Sequence, residues 1–208
     1  MEEFDTYLFD FDGTLVDSFD SLVKIFQGAY RAIGVEVEPS FVRRLMRISL
    51  QQGFEELHAP VDEKSIQIFS DELIRLLHDP EVTKLVKTYD DVKRTLILLK
   101  SMGKTIGIVT SNHKKHVKEV LEVVDIDENL SSVIVGNKET KRYKPFPDPI
   151  LKALEILGKS KEQACYVGDG LDDMESAAAA GVYPILLDRL DEYGDSNHFV
   201  IKTLDELY

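Results

Sequence analysis

The sequence predicts an α/β protein, a doubly wound parallel sheet with a helical domain inserted behind its first strand. Three observations carry this. Short apolar, β-rich runs alternate with segments of helical composition. One long stretch breaks the alternation and shows only helical periodicity. Polar residues able to do chemistry follow directly on several of the apolar runs.

The predicted strands are Thr6–Phe9, Thr105–Val109, Ser132–Val135, Ala164–Val167 and Tyr183–Leu187. Val92–Met102, His113–Val124, Asp148–Leu157 and Asp173–Ala180 read as helices between them. The helix after Pro147 is punctuated at both ends: Asp148 is placed to cap it, Pro149 fits its first turn, and Gly158 fits its stop. Between Val16 and Lys87 no strand is expected. Phe19, Leu22, Val23, Phe26, Tyr30 and Ile33 share one helical face, as do Ile66, Phe69, Leu73, Leu76 and Leu77. Shorter patterns, Phe41–Leu45–Ile48 and Phe54–Leu57, lie between them. About 70 residues without a strand is too long for a connection inside one α/β domain. The expected division is therefore a core of residues 1–15 and 88–208 and an inserted helical domain of 16–87.

The 208 residues, 43% of them hydrophobic, suffice for a sizeable core. No apolar run reaches the roughly 18–20 residues that span a bilayer. Met1-Glu2-Glu3 is acidic, unlike the start of a signal peptide, so a cytoplasmic protein without a membrane partner is expected. The single cysteine, Cys165, is expected to be a buried thiol. A net charge of −13 argues against nucleic-acid binding, which depends on Lys and Arg to neutralise phosphates. It is compatible with a small anionic substrate met by locally concentrated positive charge, such as a metal ion. The basic run Lys114-Lys115-His116-Val117-Lys118 reads as a solvated helix face, and the five histidines show no shared spacing for metal ligation.

The residues with chemical potential recur at one structural address. Asp10 and Asp12 follow the first strand, Thr110 follows the second, and Asp169 follows Ala164–Val167. Lys144 lies in the loop after Ser132–Val135. Open parallel sheets bind ligands outside the carboxyl ends of their strands, so four chain segments converge on one rim. Two carboxylates two residues apart behind a buried strand need solvent, hydrogen bonds or a metal, because burying an isolated charge is costly.

These segments resemble, in order and spacing, the four motifs of the haloacid dehalogenase superfamily, in the branch with a helical cap. Asp10-Phe11-Asp12-Gly13-Thr14 matches DxDGT, and Ile106–Thr110 matches an apolar strand ending in Thr or Ser. Lys144-Pro145-Phe146-Pro147-Asp148 matches KPxPD, and Gly168–Asp173 matches GDxxxD. By overall pattern the chain is most similar to phosphoglycolate-phosphatase-like and pyrophosphatase-like members, with a Rossmann-like core.

The resemblance implies a Mg²⁺-dependent phosphatase of small phosphorylated metabolites. Asp10 would be the nucleophile that forms an aspartyl-phosphate, and Asp12 the general acid and base. Asp10, the backbone carbonyl of Asp12 and Asp169 would hold the metal, with Asp173 acting on it indirectly. Lys144 and Thr110 would meet the phosphoryl oxygens, together with backbone N–H groups near Phe11, Asp12 and Ser111. Among the inserted helices, Arg43, Arg47 and the Gln51-Gln52-Gly53 turn are candidates for substrate selection; the blander reading of the arginines is a solvated helix face. A monomer or homodimer is expected.

Alternatives stay open at this point. A pyrophosphatase or phosphomutase would use the same core, although Leu22 stands where the family's phosphomutases carry a histidine. A receiver-like signalling module would also combine an acidic pair, a Thr and a Lys. It would need its acceptor near Leu50–Asp62, which reads as helix or loop. The chain also departs from the family pattern at Gly170, where serine is common, and at Asp90-Asp91 and Leu187-Asp188, which replace Pro-Gly and Trp-Gly.

Overall fold

β1 (Thr6–Phe9) is buried at every position, as expected of a central strand covered on both faces. The structure, a computed structural model, describes residues 4–46, 48, 50–194 and 196–208. These fall into two compact units, one of residues up to 17 and from 88 onward, the other of residues 18–87.

In the first unit the chain leaves β1 through a tight loop to the two-residue strand β2 (Val16–Asp17). The helical unit follows, with α1 (Phe19–Ala32), α2 (Pro39–Leu45), α3 (Leu50–Glu56), α4 (Glu63–Leu77) and α5 (Pro80–Thr83). The chain returns at β3 (Lys87–Thr88), which pairs with β2 in a short ribbon outside the main sheet. Then come α6 (Val92–Ser101), β4 (Thr105–Val109), α7 (Lys114–Val123), β5 (Val133–Val135), α8 (Asp148–Leu157), β6 (Ala164–Gly168), α9 (Leu171–Ala180), β7 (Tyr183–Leu187) and β8 (Phe199–Ile201).

Among the described residues the main sheet has six parallel strands in the order β5-β4-β1-β6-β7-β8. The chain builds outward from β1 to one side, then returns and builds to the other, so the order reverses at β1. That is the crevice position where doubly wound sheets bind ligands. The register sets Phe9 beside Ile108 on one flank and Val167 on the other. Asp10, Thr110 and Asp169 therefore leave the sheet within one residue of a common level.

The expected α/β class holds. β8 is an addition: three residues at the sheet edge are too few for a periodicity signal. The two-residue strands β2 and β3 likewise stand at the ends of the stretch expected to lack strands. Asp148 is a correction. It is the first residue of α8 and not its cap, since Pro147 holds the cap position, and its carboxylate pairs with Arg142 at 2.9 Å. Gly158 stops the helix as expected, at φ +61° in the left-handed region that glycine adopts without strain.

Leu8, Ile150, Ala153, Leu154, Tyr166 and Ala177 pack in one core cluster of the first unit. Cys165 is buried as expected, and burial pushes its thiol well above the ordinary range. The helical unit has its own aromatic centre. Tyr30 lies 4.8 Å from Phe69 and 5.4 Å from Phe54, with Phe41, Val42 and Leu45 around them. Ile66, expected on the buried face of α4, is instead 46% exposed. Among the described residues no helix is long and apolar enough to cross a membrane.

Candidate active site

Asp10 is the first residue beyond β1, and its N–H still donates to Val167 O at 2.9 Å, so the sheet ladder fixes its backbone. The loop behind it is wound tightly, with Leu15 and Val16 N–H donating to Phe11 O and Gly13 N–H to Val16 O. Gly13 has φ +80°, and a Cβ there would stand 2.2 Å from Asp169 Oδ2. Only glycine allows both this turn and that approach. Thr14 Oγ1 donates to Asp169 Oδ1 at 3.4 Å, linking the loop to the end of β6. Phe11, expected to offer its backbone N–H to a phosphoryl group, is fully buried.

Lys144 lies at the centre. Its Nζ is 2.5 Å from Asp10 Oδ1 and 2.6 Å from Asp173 Oδ1, and all three side chains are at most 7% exposed. Asp173 is in the first turn of α9, where Gly170 N–H donates to its Oδ2 at 3.0 Å. The Tyr166 hydroxyl lies 3.1 Å from both Asp173 Oδ1 and Val109 O, so its one proton serves either acceptor. Ser176 Oγ donates to Phe146 O at 2.8 Å and ties the Lys144 loop to α9. Both Asp173 oxygens are thus engaged by protein donors, an arrangement that orients Lys144.

Asp12 borders this cluster, close enough for its charge to act on Asp169. Its Oδ2 accepts a short hydrogen bond from Asn112 Nδ2. Asn112 is itself held by Thr110 Oγ1, which accepts its N–H at 3.1 Å. Thr110 N–H donates to Val135 O at 3.0 Å, so β5 positions this turn. The cap of α7 is His113, which accepts Lys115 N–H, and Ser111, between Thr110 and Asn112, is exposed.

The electrostatics follow from burial. Burial pushes the Asp10 carboxyl well above the ordinary carboxylate range; Lys144 pulls it down, while Asp173 and Asp169 push it further up. Burial, reinforced by Asp173, lifts Asp169 to about 7. Burial opposes the charge on Lys144, yet Asp10 and Asp173 outweigh it and hold the ammonium well above its usual range.

One ammonium faces three clustered carboxylates. Asp10, Asp169 and Asp173 each present an oxygen within 4.8 Å of the others. An all-oxygen set with excess negative charge suits a hard divalent cation, so these residues fit a metal. Gly13, with no Cβ against Asp169, keeps that carboxylate accessible from the loop.

The structure thus brings together Asp10, Asp169, Asp173 and Lys144, and links Asp12 to Thr110 through Asn112. The helical candidates have partners within their own unit. The Arg43 guanidinium stacks 4.0 Å above the Phe19 ring, and Gln51 donates to Glu55 at 3.0 Å. Gln51 is in α3, where a turn was expected. Arg47 lies outside the described residues. Asn112 and Tyr166 are site residues that sequence reasoning missed. Tyr166 carried a signal, since a tyrosine in a fully buried strand must find its hydroxyl a partner.

Fold and rim define an α/β protein with an acidic cluster and one lysine at the switch point of a parallel sheet. The family model described as haloacid dehalogenase-like hydrolase matches residues 7–187, and the chain belongs to that family. It is 31% identical over 176 residues to a phosphoglycolate phosphatase of Aquifex aeolicus, covering 84% of this chain and 80% of that one. A Bacillus cereus protein named pyrophosphatase PpaX is 28% identical over 176 residues, covering 85% and 79%. A solved structure from Haemophilus somnus, described as a predicted phosphoglycolate phosphatase, shares the fold at a TM-score of 0.85, with 22% identity over 100% of this chain and 97% of that one. The expected hydrolase family and enzyme class are borne out.

Proposed function

We propose that the chain is a Mg²⁺-dependent phosphohydrolase that transfers the phosphoryl group of a small metabolite to Asp10 and then to water. The observation that carries this reading is that the two loop carboxylates have different partners. Asp10 is buried against Lys144 at 2.5 Å, while Asp12 accepts a hydrogen bond from Asn112. A nucleophile and a proton carrier need such different environments.

In the first step an Asp10 oxygen bonds to phosphorus as the bond to the leaving oxygen breaks, and protonated Asp12 gives that oxygen its proton. In the second, water attacks phosphorus, Asp12 takes its proton, and the bond to Asp10 breaks to free phosphate and restore the carboxylate. Lys144 meets negative charge on the phosphoryl oxygens, and Thr110 offers a hydroxyl. Asp10, Asp169 and the Asp12 backbone carbonyl would hold Mg²⁺, which supplies neutralising charge when bound. Asp173 orients Lys144.

Relatives named for an ester and for an anhydride substrate support a small phosphate ester or anhydride, with phosphoglycolate-like monoesters and pyrophosphate as first candidates. A phosphate-release screen over phosphomonoesters, sugar phosphates, nucleotides and pyrophosphate tests this. Turnover should require Mg²⁺ and fall by at least about 10³-fold in Asp10→Asn, in line with losses on removing a nucleophile. Equal turnover in that variant contradicts the assignment.

A further inference from the structure

Two of the departures from the family pattern lie in segments that meet in space. Asp91 falls in the pair that replaces Pro-Gly before α6, and Arg189 directly follows the Leu187-Asp188 that replaces Trp-Gly after β7. Asp91 holds the cap position of α6, yet its side chain caps nothing there. Its carboxylate accepts both arms of the Arg189 guanidinium, at 2.8 and 3.0 Å, and the N–H of Leu204 at 2.7 Å. The pair is nearly enclosed, at 12% and 5% side-chain exposure. The guanidinium also stacks 3.9 Å above the Tyr89 ring.

The same Nη2 that reaches Asp91 donates to Thr14 O at 3.0 Å. Thr88 Oγ1 donates to the next carbonyl, Leu15 O, at 3.1 Å. Side chains from elsewhere in the chain thus hold the last carbonyl of the Asp10–Thr14 loop and the first one beyond it. Thr14 is also the residue whose hydroxyl touches Asp169. A buried ion pair adds little net stability, because desolvation offsets its attraction. A planar fork with fixed directions does fix geometry.

We infer that Arg189, oriented by Asp91, is a positioning residue for the Asp10–Thr14 loop, setting the approach of Gly13-Thr14 to Asp169. Its effect on catalysis rests on the phosphohydrolase reading, whereas its effect on the loop does not. Lysine at 189 keeps a charge for Asp91 but loses the fork that spans Asp91 and Thr14 O.

The test compares wild type with Arg189→Lys and Arg189→Met by amide hydrogen exchange without metal, and by steady-state kinetics with it. In Arg189→Lys the Gly13, Leu15 and Val16 amides should exchange about ten-fold faster while those of α8 keep their rates. With the substrate found by the screen, kcat should fall about ten-fold with KM within two-fold, since misplacement by a fraction of an ångström costs rate before binding. Arg189→Met should show the same pattern more strongly. If it fails to fold, the lysine variant decides. Unchanged loop exchange in Arg189→Lys overturns the proposal, as does equal acceleration in α8, which marks a role in global stability alone. Local loosening without a change in kcat overturns its catalytic half. Wild type that turns over nothing defeats the functional reading and leaves the exchange result standing.

Discussion

The two units treat charge in opposite ways. In the α/β unit, Lys144 lies 2.5 Å from Asp10 and 2.6 Å from Asp173 behind the strand ends, all three at 7% exposure or less. In the helical unit the ion pairs, such as Arg75–Glu72 and Arg31–Glu36, lie on solvated surfaces, and the interior is aromatic and aliphatic. Surface pairs are screened and contribute little, whereas each buried group constrains the others. Buried charge therefore marks groups held in fixed geometry, as at Asp10–Lys144 and at Asp91–Arg189, while surface charge on helices is weak ground for assigning a substrate contact. Arg43 belongs to the second kind.

The contrast breaks first at Asp12. If its carboxylate moves the protons, Asp12→Asn lowers kcat by about 10²–10⁴-fold, the usual share of a general acid–base group, and leaves the thermal unfolding midpoint close to wild type. Activity within a few-fold of wild type would make Asp12 a loop former only.

Metal binding sharpens the contrast through pH. Burial holds Asp169 near 7 against an ordinary value of 3.8. For an acid raised in this way, the folded state keeps a proton that the unfolded state has lost. This group therefore costs the metal-free protein stability as pH rises from about 4 to about 7, and no more beyond that. A divalent cation must displace that proton below about 7, so apparent Mg²⁺ affinity should rise by at least about ten-fold per pH unit up to there, and more steeply where the raised Asp10 carboxyl also gives up a proton. Calorimetric titrations from about pH 5.5 to about pH 8.5 would show it. A flat dependence would show that no carboxyl titrating near 7 binds the metal.

The smallest effect on chemistry is expected from the core of the helical unit. Phe69→Ala, at a site 1% exposed, should cost about 3–5 kcal/mol of stability in denaturant unfolding. Arg75→Ala on the same helix should leave the unfolding midpoint where it was. Equal effects would remove the contrast.

Legibility in sequence followed the range of the interaction. Thr6–Phe9, Thr105–Val109 and Tyr183–Leu187 are strands to the residue, because each is a local apolar run between clear breaks. Asp10, Thr110 and Asp169 were legible because a parallel sheet carries strand ends to one rim. Asn112 and Arg189 were not, since their partners Asp12 and Thr14 lie 100 and 175 residues away and no local pattern marks them. Ile66 followed the helical period of α4 yet faces solvent, because periodicity identifies a helix more securely than the edge of its buried face.

The central claim is that Asp10 carries the phosphoryl group between substrate and water. Borohydride added during turnover reduces an acyl phosphate to the alcohol, so mass spectrometry of the peptide that contains Asp10 reads the claim directly. Conversion of Asp10 to homoserine, dependent on substrate and Mg²⁺ and absent without either, is the predicted result. Phosphate release at the usual rate with Asp10 left unreduced would contradict it.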